Sequence, residues 1–493
     1  MSADRAAHAE RLSALDAAFL TVEGPTSHMH VGALAVFEGG PLVDAHGAVD
    51  FARLRGFLAA TIAARPRYRQ RLTRIPVLGH PAWIDDEHFH LEFHLRHTRL
   101  PHPGDDRQLK RLAGRIFSQR LDRDHPLWEM WLIEGLTRGR FALVIKIHHC
   151  MIDGIAGADL LASLLRLSPE EQPPAGEVPP PRPSPTRAGL LAAEVRHRAH
   201  HLRAAARSAR AAMAAPRQAA SALGESVAGI ARLARRGLTP ASSTPLNPRH
   251  IGAFRRFDTA RFDLAALKAA RTRLGGGTVN DVALAAVSGA LRRTLLRRGV
   301  DVDRLRDIRA LVPVNVRPAA SRGALGNFVA LVFANLPVDV ADPRARYARV
   351  RENTAKLKTA SREVESSALL ERIADATATV AVSWSFYLAA YLRAFNFVVT
   401  NVPGPPMPLY LAGARLLEVY PLVPLFRSQT LGVALMSYAG SLFVGINADW
   451  HAMPDLHDFA RDLEESVAEL CALGDGTDVT TTSSPSAHCP PPT

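Results

Sequence analysis

The chain has 493 residues and 47% hydrophobic content, enough for more than one buried core. Its 60 Lys and Arg against 47 Asp and Glu give a net charge of +13, which favours anionic partners such as phosphate-bearing cofactors or anionic lipid surfaces. No basic run is interleaved with aromatics, which argues against nucleic acid, and Cys150, Cys471 and Cys489 show neither metal spacing nor an even disulfide framework, which points to a reducing, cytosolic setting.

The first residues hold no apolar stretch of signal-peptide type. A capped short helix is predicted over 12–19, a strand over 28–37, a helix over 51–64 that stops at Pro66, and an amphipathic helix over 109–120. A buried strand is predicted from Phe141, ending in His148 and His149, with a helix predicted from Gly154 to Leu167. Residues 168–185 are rich in Pro and Glu and read as a linker. Residues 187–236 are rich in Ala with Arg196, Arg203, Arg207, Arg210 and Arg217 at helical intervals; they fit a solvated helix pair or an amphipathic segment lying on a membrane.

A second globular section follows. Helices are predicted over 264–274, 280–298, 345–358 and 456–473, and strands over 308–316, 330–338, 397–400, 430–438 and 441–449. The most apolar stretch, 376–392, contains Thr, Ser, Trp and Tyr and runs into a strand, which fits a buried helix better than a membrane span. The division expected is an N-terminal domain over 1–168, a linker over 169–245, a C-terminal domain over 246–473 and a disordered tail over 474–493. Alternating strands and helices in both halves make two α/β units.

The chemistry concentrates at His148-His149-x-x-x-Asp153-Gly154. A histidine at a strand end can move protons near neutral pH. Side chains alternate across a strand, so His149 continues the face of Phe141, Leu143, Ile145 and Ile147, and His148 shares the other face with Lys146. If the strand holds to its end, His149 is the residue that meets a buried substrate and His148 supports it. Asp153 is placed to fix the turn and cap the next helix, and Gly154 to take a backbone conformation other residues resist. No third ligand completes a metal site, no Gly-x-Ser-x-Gly elbow supplies a serine nucleophile, and Cys150 points away from His149 on an extended strand. Gly275-Gly276-Gly277 lacks the Lys of a phosphate-binding loop.

These residues resemble the bacterial wax ester synthase/diacylglycerol acyltransferase family. The His148–Gly154 motif matches in full, and further pieces resemble the family in order and spacing. They are the segment from Leu12 to Asp16, His28-Met29-His30, Pro126-Leu127-Trp128, Asn280-Asp281, the segment from Val312 to Arg317, the one around Asn327, and the one from Thr400 and Asn401 to Pro405. The His-His motif alone belongs to a wider superfamily that includes chloramphenicol acetyltransferase-like enzymes and peptide condensation domains. The resemblance implies an α/β fold of two chloramphenicol acetyltransferase-like domains, mixed sheets with flanking helices, and a tunnel between them in which acyl-CoA and acceptor reach His149 from opposite sides.

The implied activity is transfer of a long-chain acyl group from acyl-CoA, a co-substrate, to diacylglycerol or a fatty alcohol, with no permanently bound cofactor or metal. Asn280 is a candidate oxyanion donor or a helix cap, and Asp281 complements substrate or merely the helix dipole. Arg317 is a candidate partner for Asp153, while Asn327, Asn401 and Pro126-Leu127-Trp128 fit structural support as well as substrate contact. The expected location is the cytoplasm, peripheral to the inner membrane or to lipid inclusions, with contact to a membrane or lipid-droplet surface. Two readings compete with this one: the same chemistry on a polyketide, glycolipid or other hydroxyl, and a weakly active paralogue that coats lipid.

Overall fold

A computed structural model describes residues 9–77, 79–151, 164–173, 179–214, 239–315, 329–365 and 393–473. In chain order the first half contains β1 (Glu10–Arg11), α1 (Ala14–Val22), β2 (His30–Phe37), α2 (Phe51–Ala63), β3 (Gln70–Arg74), β4 (Pro81–Asp85), α3 (Leu91–His94), β5 (Leu95–Arg99), α4 (Asp106–Ser118), β6 (Trp128–Glu134) and β7 (Phe141–His148). The connecting helix α5 (Arg187–Ala214) leads to β8 (Arg255–Asp263), α6 (Leu264–Arg273), α7 (Val279–Arg297), β9 (Arg309–Asn315), β10 (Val329–Asn335) and α8 (Pro343–Glu365). The chain closes with β11 (Phe397–Pro403), β12 (Tyr410–Leu411), β13 (Ala414–Leu422), β14 (Leu431–Tyr438), β15 (Ser441–Asp449) and α9 (Leu456–Ala472).

Two mixed six-stranded sheets organise the molecule, in the orders β12-β13-β2-β7-β6-β5 and β10-β9-β11-β14-β15-β8. Each is built round strands buried along their whole length, β7 in the first and β15 in the second, as expected of a sheet covered on both faces. A three-stranded sheet, β1-β4-β3, flanks the first.

The expected boundary at residue 246 does not cut the structure cleanly. β12 and β13 come from the C-terminal part of the sequence but complete the N-terminal sheet, with β13 running antiparallel to β2 from Leu416↔Phe37 to Leu422↔Gly32. The return brings the two sheets into contact. A Cβ on Gly445 of β15 would sit 1.9 Å from the Pro421 carbonyl oxygen of β13, so only glycine permits that approach. A second junction lies between α4 and β8, where Lys110 Nζ meets Asp258 at 2.6 Å and the Arg255 amide donates to Ser118 Oγ at 2.8 Å.

Elements near the site are shaped by local chemistry. Ser13 caps α1 by accepting from the Asp16 amide at 3.2 Å. Asp105 and Gln108 form a reciprocal capping box on α4. Lys146 of β7 is fully buried and donates to the Ile116 and Gln119 carbonyls at 3.2 and 2.9 Å, satisfying the end of α4.

The linker lies along the N-terminal half: Arg182 donates to Asp85 from its amide and its guanidinium, and buried Glu194 of α5 pairs with Arg11 and Arg198. Of the long basic segment, 187–214 is one helix, and 215–238 lies outside the described residues. So do the apolar stretch 376–392 and the tail 474–493. Among the described residues no helix is long and apolar enough to cross a membrane.

Candidate active site

Strand geometry ends at His148. His149 leaves β7 and opens a single 3-10 turn, His149–Met151, so the alternation expected from the strand stops one residue short of it. The two histidines still diverge. His148 is 1% exposed, and its amide donates to the Leu127 carbonyl at 2.9 Å. His149 is half-buried, and its amide donates to the Met29 carbonyl at 2.8 Å.

The His149 ring stacks on Phe19 of α1, with centroids 3.7 Å apart and an interplanar angle of 17°. Its Nδ1 is enclosed without a hydrogen-bond partner among the described residues. Burial is the main force that pushes its pKa down to about 4; its own main chain pulls upward, and neighbouring His148 adds to the lowering. At neutral pH His149 is therefore an uncharged base.

Cys150 closes off one side of His148. Its amide donates to His148 Nδ1 at 3.2 Å and its sulfur lies 2.9 Å from the same nitrogen. Burial pushes the Cys150 thiol well above its ordinary range, so it remains a protonated donor rather than a nucleophile.

On the other side stands Glu23, the residue that caps the C-terminal end of α1. Its carboxylate is 1% exposed and lies 3.7 Å from both His148 Nε2 and His30 Nε2. Arg120 reaches it at 3.2 Å, Arg123 Nε at 2.8 Å, and Arg123 Nη2 makes a further short contact. Burial alone would raise the carboxyl, but His148 and Arg123 outweigh it and hold Glu23 well below the usual carboxylate range.

The β2–β7 register sets His30 opposite His148. His28, stacked on His30 with centroids 5.4 Å apart, has both ring nitrogens enclosed without partners. Glu23, His28 and His30 place donor atoms within 4.8 Å of one another, as a metal site would. The charge balance opposes a cation: Glu23 already faces two guanidiniums, and Arg255 and Lys146 both act to lower the His28 pKa.

The remaining sequence candidates separate. Leu127 and Trp128 are fully buried, with Trp128 Nε1 donating to the Tyr68 carbonyl at 2.8 Å, and Leu127 reaches the site only through its carbonyl bond to His148. Pro126 is buried beside them and its carbonyl accepts the Trp128 amide.

Asn280 is not the helix cap: Thr278 caps α7, and Asp281 completes the capping box. The side-chain oxygen of Asn280 is enclosed and has no partner among the described residues. Asn401 lies within β11 opposite Leu435, not in the turn expected from its Pro-Gly neighbourhood, because parallel pairing with β14 extends that strand to Pro403. Asp153, Gly154, Arg317 and Asn327 fall outside the described residues. Clefts of about 330 Å³, against Pro179, Pro180 and Pro181, and about 370 Å³, beside Arg293 and Arg461, are not lined by any of these histidines.

Glu23 was missed in the sequence because its partners Arg120, Arg123 and His148 are roughly a hundred residues away. The available signal was modest: it is the one acid between Asp16 and the end of the strand at Phe37, five residues before His28.

Residues 12–283 match the model of the wax ester synthase/diacylglycerol acyltransferase catalytic domain, and residues 325–471 match that of the WS/DGAT C-terminal domain. The chain belongs to the wax ester synthase/diacylglycerol acyltransferase family. It is an acyltransferase. A Mycobacterium tuberculosis relative described as a probable diacylglycerol O-acyltransferase, tgs1, is 35% identical over 476 residues, covering 95% of this chain and 97% of the relative. The wax ester synthase/diacylglycerol acyltransferase from Marinobacter aquaeolei VT8 superposes with a TM-score of 0.64 at 28% identity, over 94% of this chain and all of that one. The first condensation domain of the calcium-dependent antibiotic synthetase superposes with a TM-score of 0.58 at 17% identity, over 96% and 97% of the two chains, a likeness of fold alone. The two-domain, chloramphenicol acetyltransferase-like architecture expected from the sequence is the one observed.

Proposed function

We propose that this acyltransferase moves a long-chain acyl group from acyl-CoA to the hydroxyl of diacylglycerol, or of a fatty alcohol, with His149 as general base. The observation that carries the reading is the state of His149: an uncharged imidazole held under Phe19 with Nδ1 enclosed, leaving Nε2 to meet substrate. The relatives named as diacylglycerol O-acyltransferases support the choice of acceptor.

In this reading Nε2 takes the proton from the acceptor hydroxyl as its oxygen attacks the thioester carbonyl. Collapse of the tetrahedral intermediate breaks the C–S bond, and the imidazolium returns the proton to the CoA thiolate. No acyl-enzyme forms, consistent with the inert thiol of Cys150. Acyl-CoA serves as co-substrate, and no bound cofactor is required. Asn280, whose side-chain oxygen has no partner among the described residues, positions substrate. A tunnel between the two halves brings the substrates to Nε2 from opposite sides.

Contact with an anionic lipid surface fits α5, where Val195 and Leu202 are 65% and 71% exposed among exposed Arg196, Arg203 and Arg207. The test of the activity is CoA release from palmitoyl-CoA with hexadecanol or dioleoylglycerol, for wild type and His149→Ala. Acceptor-dependent release that the variant loses supports the reading and ranks the acceptors; equal release by both proteins overturns His149 as base.

A further inference from the structure

We propose that Glu23 is a positioning residue of the acyl transfer: its Oε1 receives the Nε2–H of His148 and the amide of Met29, and through the main chain of Met29 it sets that of His149 under Phe19. This rests on the reading of His149 as the base.

The two carboxylate oxygens have divided roles. Arg120 and Arg123 both address Oε2. Oε1 is turned the other way, toward the Met29 amide at 3.4 Å and His148 Nε2 at 3.7 Å. The arginines thus offset the cost of burying the charge, which leaves the second oxygen available for the histidine.

Tautomer logic fixes which ring it serves. Cys150 donates its amide to His148 Nδ1, so the proton of neutral His148 sits on Nε2. That Nε2 is enclosed and, among the described residues, lies beyond hydrogen-bond distance of any partner, with the Glu23 carboxylate as the acceptor facing it. His30 Nε2 is equally close to Glu23 but accepts the Leu121 amide at 3.3 Å, so it has no proton to give. The 3.7 Å separation is longer than a hydrogen bond, and catalytic contacts of this kind commonly tighten when substrate is bound.

The route to His149 is through the main chain. Met29 offers its amide to Glu23 and its carbonyl to the His149 amide at 2.8 Å. The same helix end supplies the ring above His149, because the Glu23 amide donates to the Phe19 carbonyl at 3.2 Å. One residue is therefore tied to the aromatic face, the peptide behind the base and the neighbouring imidazole.

The test uses the full chain with Glu23→Gln, which keeps the shape and removes the charge, and Glu23→Asp, which keeps the charge. Thiol release from palmitoyl-CoA gives kcat and KM, thermal melting reports folding, and the ring N–H proton resonance of His148 is assigned by its absence in His148→Gln. The expected result is a kcat about 10- to 100-fold lower in Glu23→Gln, below the range for loss of the base itself. KM for palmitoyl-CoA stays within about twofold, since ground-state binding is not what is lost. Glu23→Asp recovers part of the rate, and the His148 N–H proton moves upfield in Glu23→Gln.

A kcat unchanged in Glu23→Gln overturns the proposal, as does a rate that falls only in step with the melting temperature. If Glu23→Gln does not fold, Glu23→Asp carries the test, and wild-type kcat in a folded Asp variant that has lost the downfield His148 proton is a negative result. Should wild type release no acceptor-dependent thiol, the activity reading fails by itself. The proton resonance then still decides, and one that does not move in Glu23→Gln removes Glu23 as the partner of His148.

Discussion

Glu23 and Asp281 are both buried carboxylates at a helix end, and their surroundings are finished differently. Asp281 accepts from the Thr278 amide and hydroxyl at 2.7 Å each through one oxygen and from Thr354 Oγ1 at 2.6 Å through the other. Around Glu23, by contrast, His28, His30, His148 and His149 all leave ring nitrogens enclosed and unpartnered among the described residues. A fully satisfied buried network holds a fold in place, whereas buried orphans carry a standing cost that a purely structural site has no reason to keep. The comparison separates scaffold from chemistry inside one family motif set, since Asn280 keeps an unpartnered oxygen and adjacent Asp281 does not.

The largest effect expected from breaking this contrast is at His149. His149→Ala should lower kcat for thiol release by about 10²–10⁴-fold, the usual contribution of a general base. Thermal stability should hold or rise, because the variant removes an imidazole whose Nδ1 is enclosed without a partner among the described residues. A variant that melts early and loses rate in proportion would place His149 on the scaffold side.

Asp281→Ala should do the reverse. Three hydrogen bonds are lost together, among them the capping-box bond from the Thr278 amide, for a cost of about 2–4 kcal/mol in chemical denaturation. The kcat per folded molecule should stay within about twofold of wild type, since Asp281 acts on the helix start and not on the reaction. A folded Asp281 variant without activity would move it to the chemical side.

The histidine cluster also makes stability depend on pH. His28 and His149 are both pushed down to about 4, chiefly by burial. Unfolded histidine binds its proton near 6.5, so between these values the unfolded chain holds more protons than the folded one. The contribution to stability is therefore complete above pH 6.5 and is lost as pH falls toward 4. The melting temperature should drop by about several degrees between pH 7 and 4.5, and His28→Leu should flatten the slope. Over the range in which the enzyme stays folded, the acid limb of kcat/KM should lie nearer 4 than 6.5. A limb at 6.5 would show that substrate or solvent reaches His149 more freely than the structure indicates.

Local signals carried much of this through the sequence. The buried strand 141–148 announces itself by the apolar run from Phe141 to Ile145, and 441–449 and 456–472 fall where alternation and helical spacing place them. The return of β13 to the N-terminal sheet was not legible, because pairing of 416–422 with 32–37 is a long-range choice that neither strand encodes alone. Nor was the break at His149, since alternation has no term for where a strand ends. At the site, the histidines were visible as a motif. Glu23 was not, because its meaning comes from Arg120, Arg123 and His148, assembled only by the fold.

The smallest effect expected is at Cys150, and it tests the logic of the pair most narrowly. Two donors from this residue converge on His148 Nδ1, the amide and the thiol. Only the thiol can be removed by substitution, so Cys150→Ala leaves the amide in place and with it the Nε2–H form of His148. One neutral hydrogen bond of this kind is worth about 0.5–1.5 kcal/mol, so kcat should fall by no more than about tenfold. Cys150→Ser, with a hydroxyl donor in the same place, should lie closer to wild type. A nucleophilic Cys150 predicts something quite different: the alanine variant would be as inactive as His149→Ala, and iodoacetamide would inactivate the native enzyme. The buried, protonated thiol instead implies that native enzyme survives that reagent. The rank order of Ala against Ser at position 150 then reports how much of the geometry of His148 depends on a side chain and how much on the peptide that follows the strand.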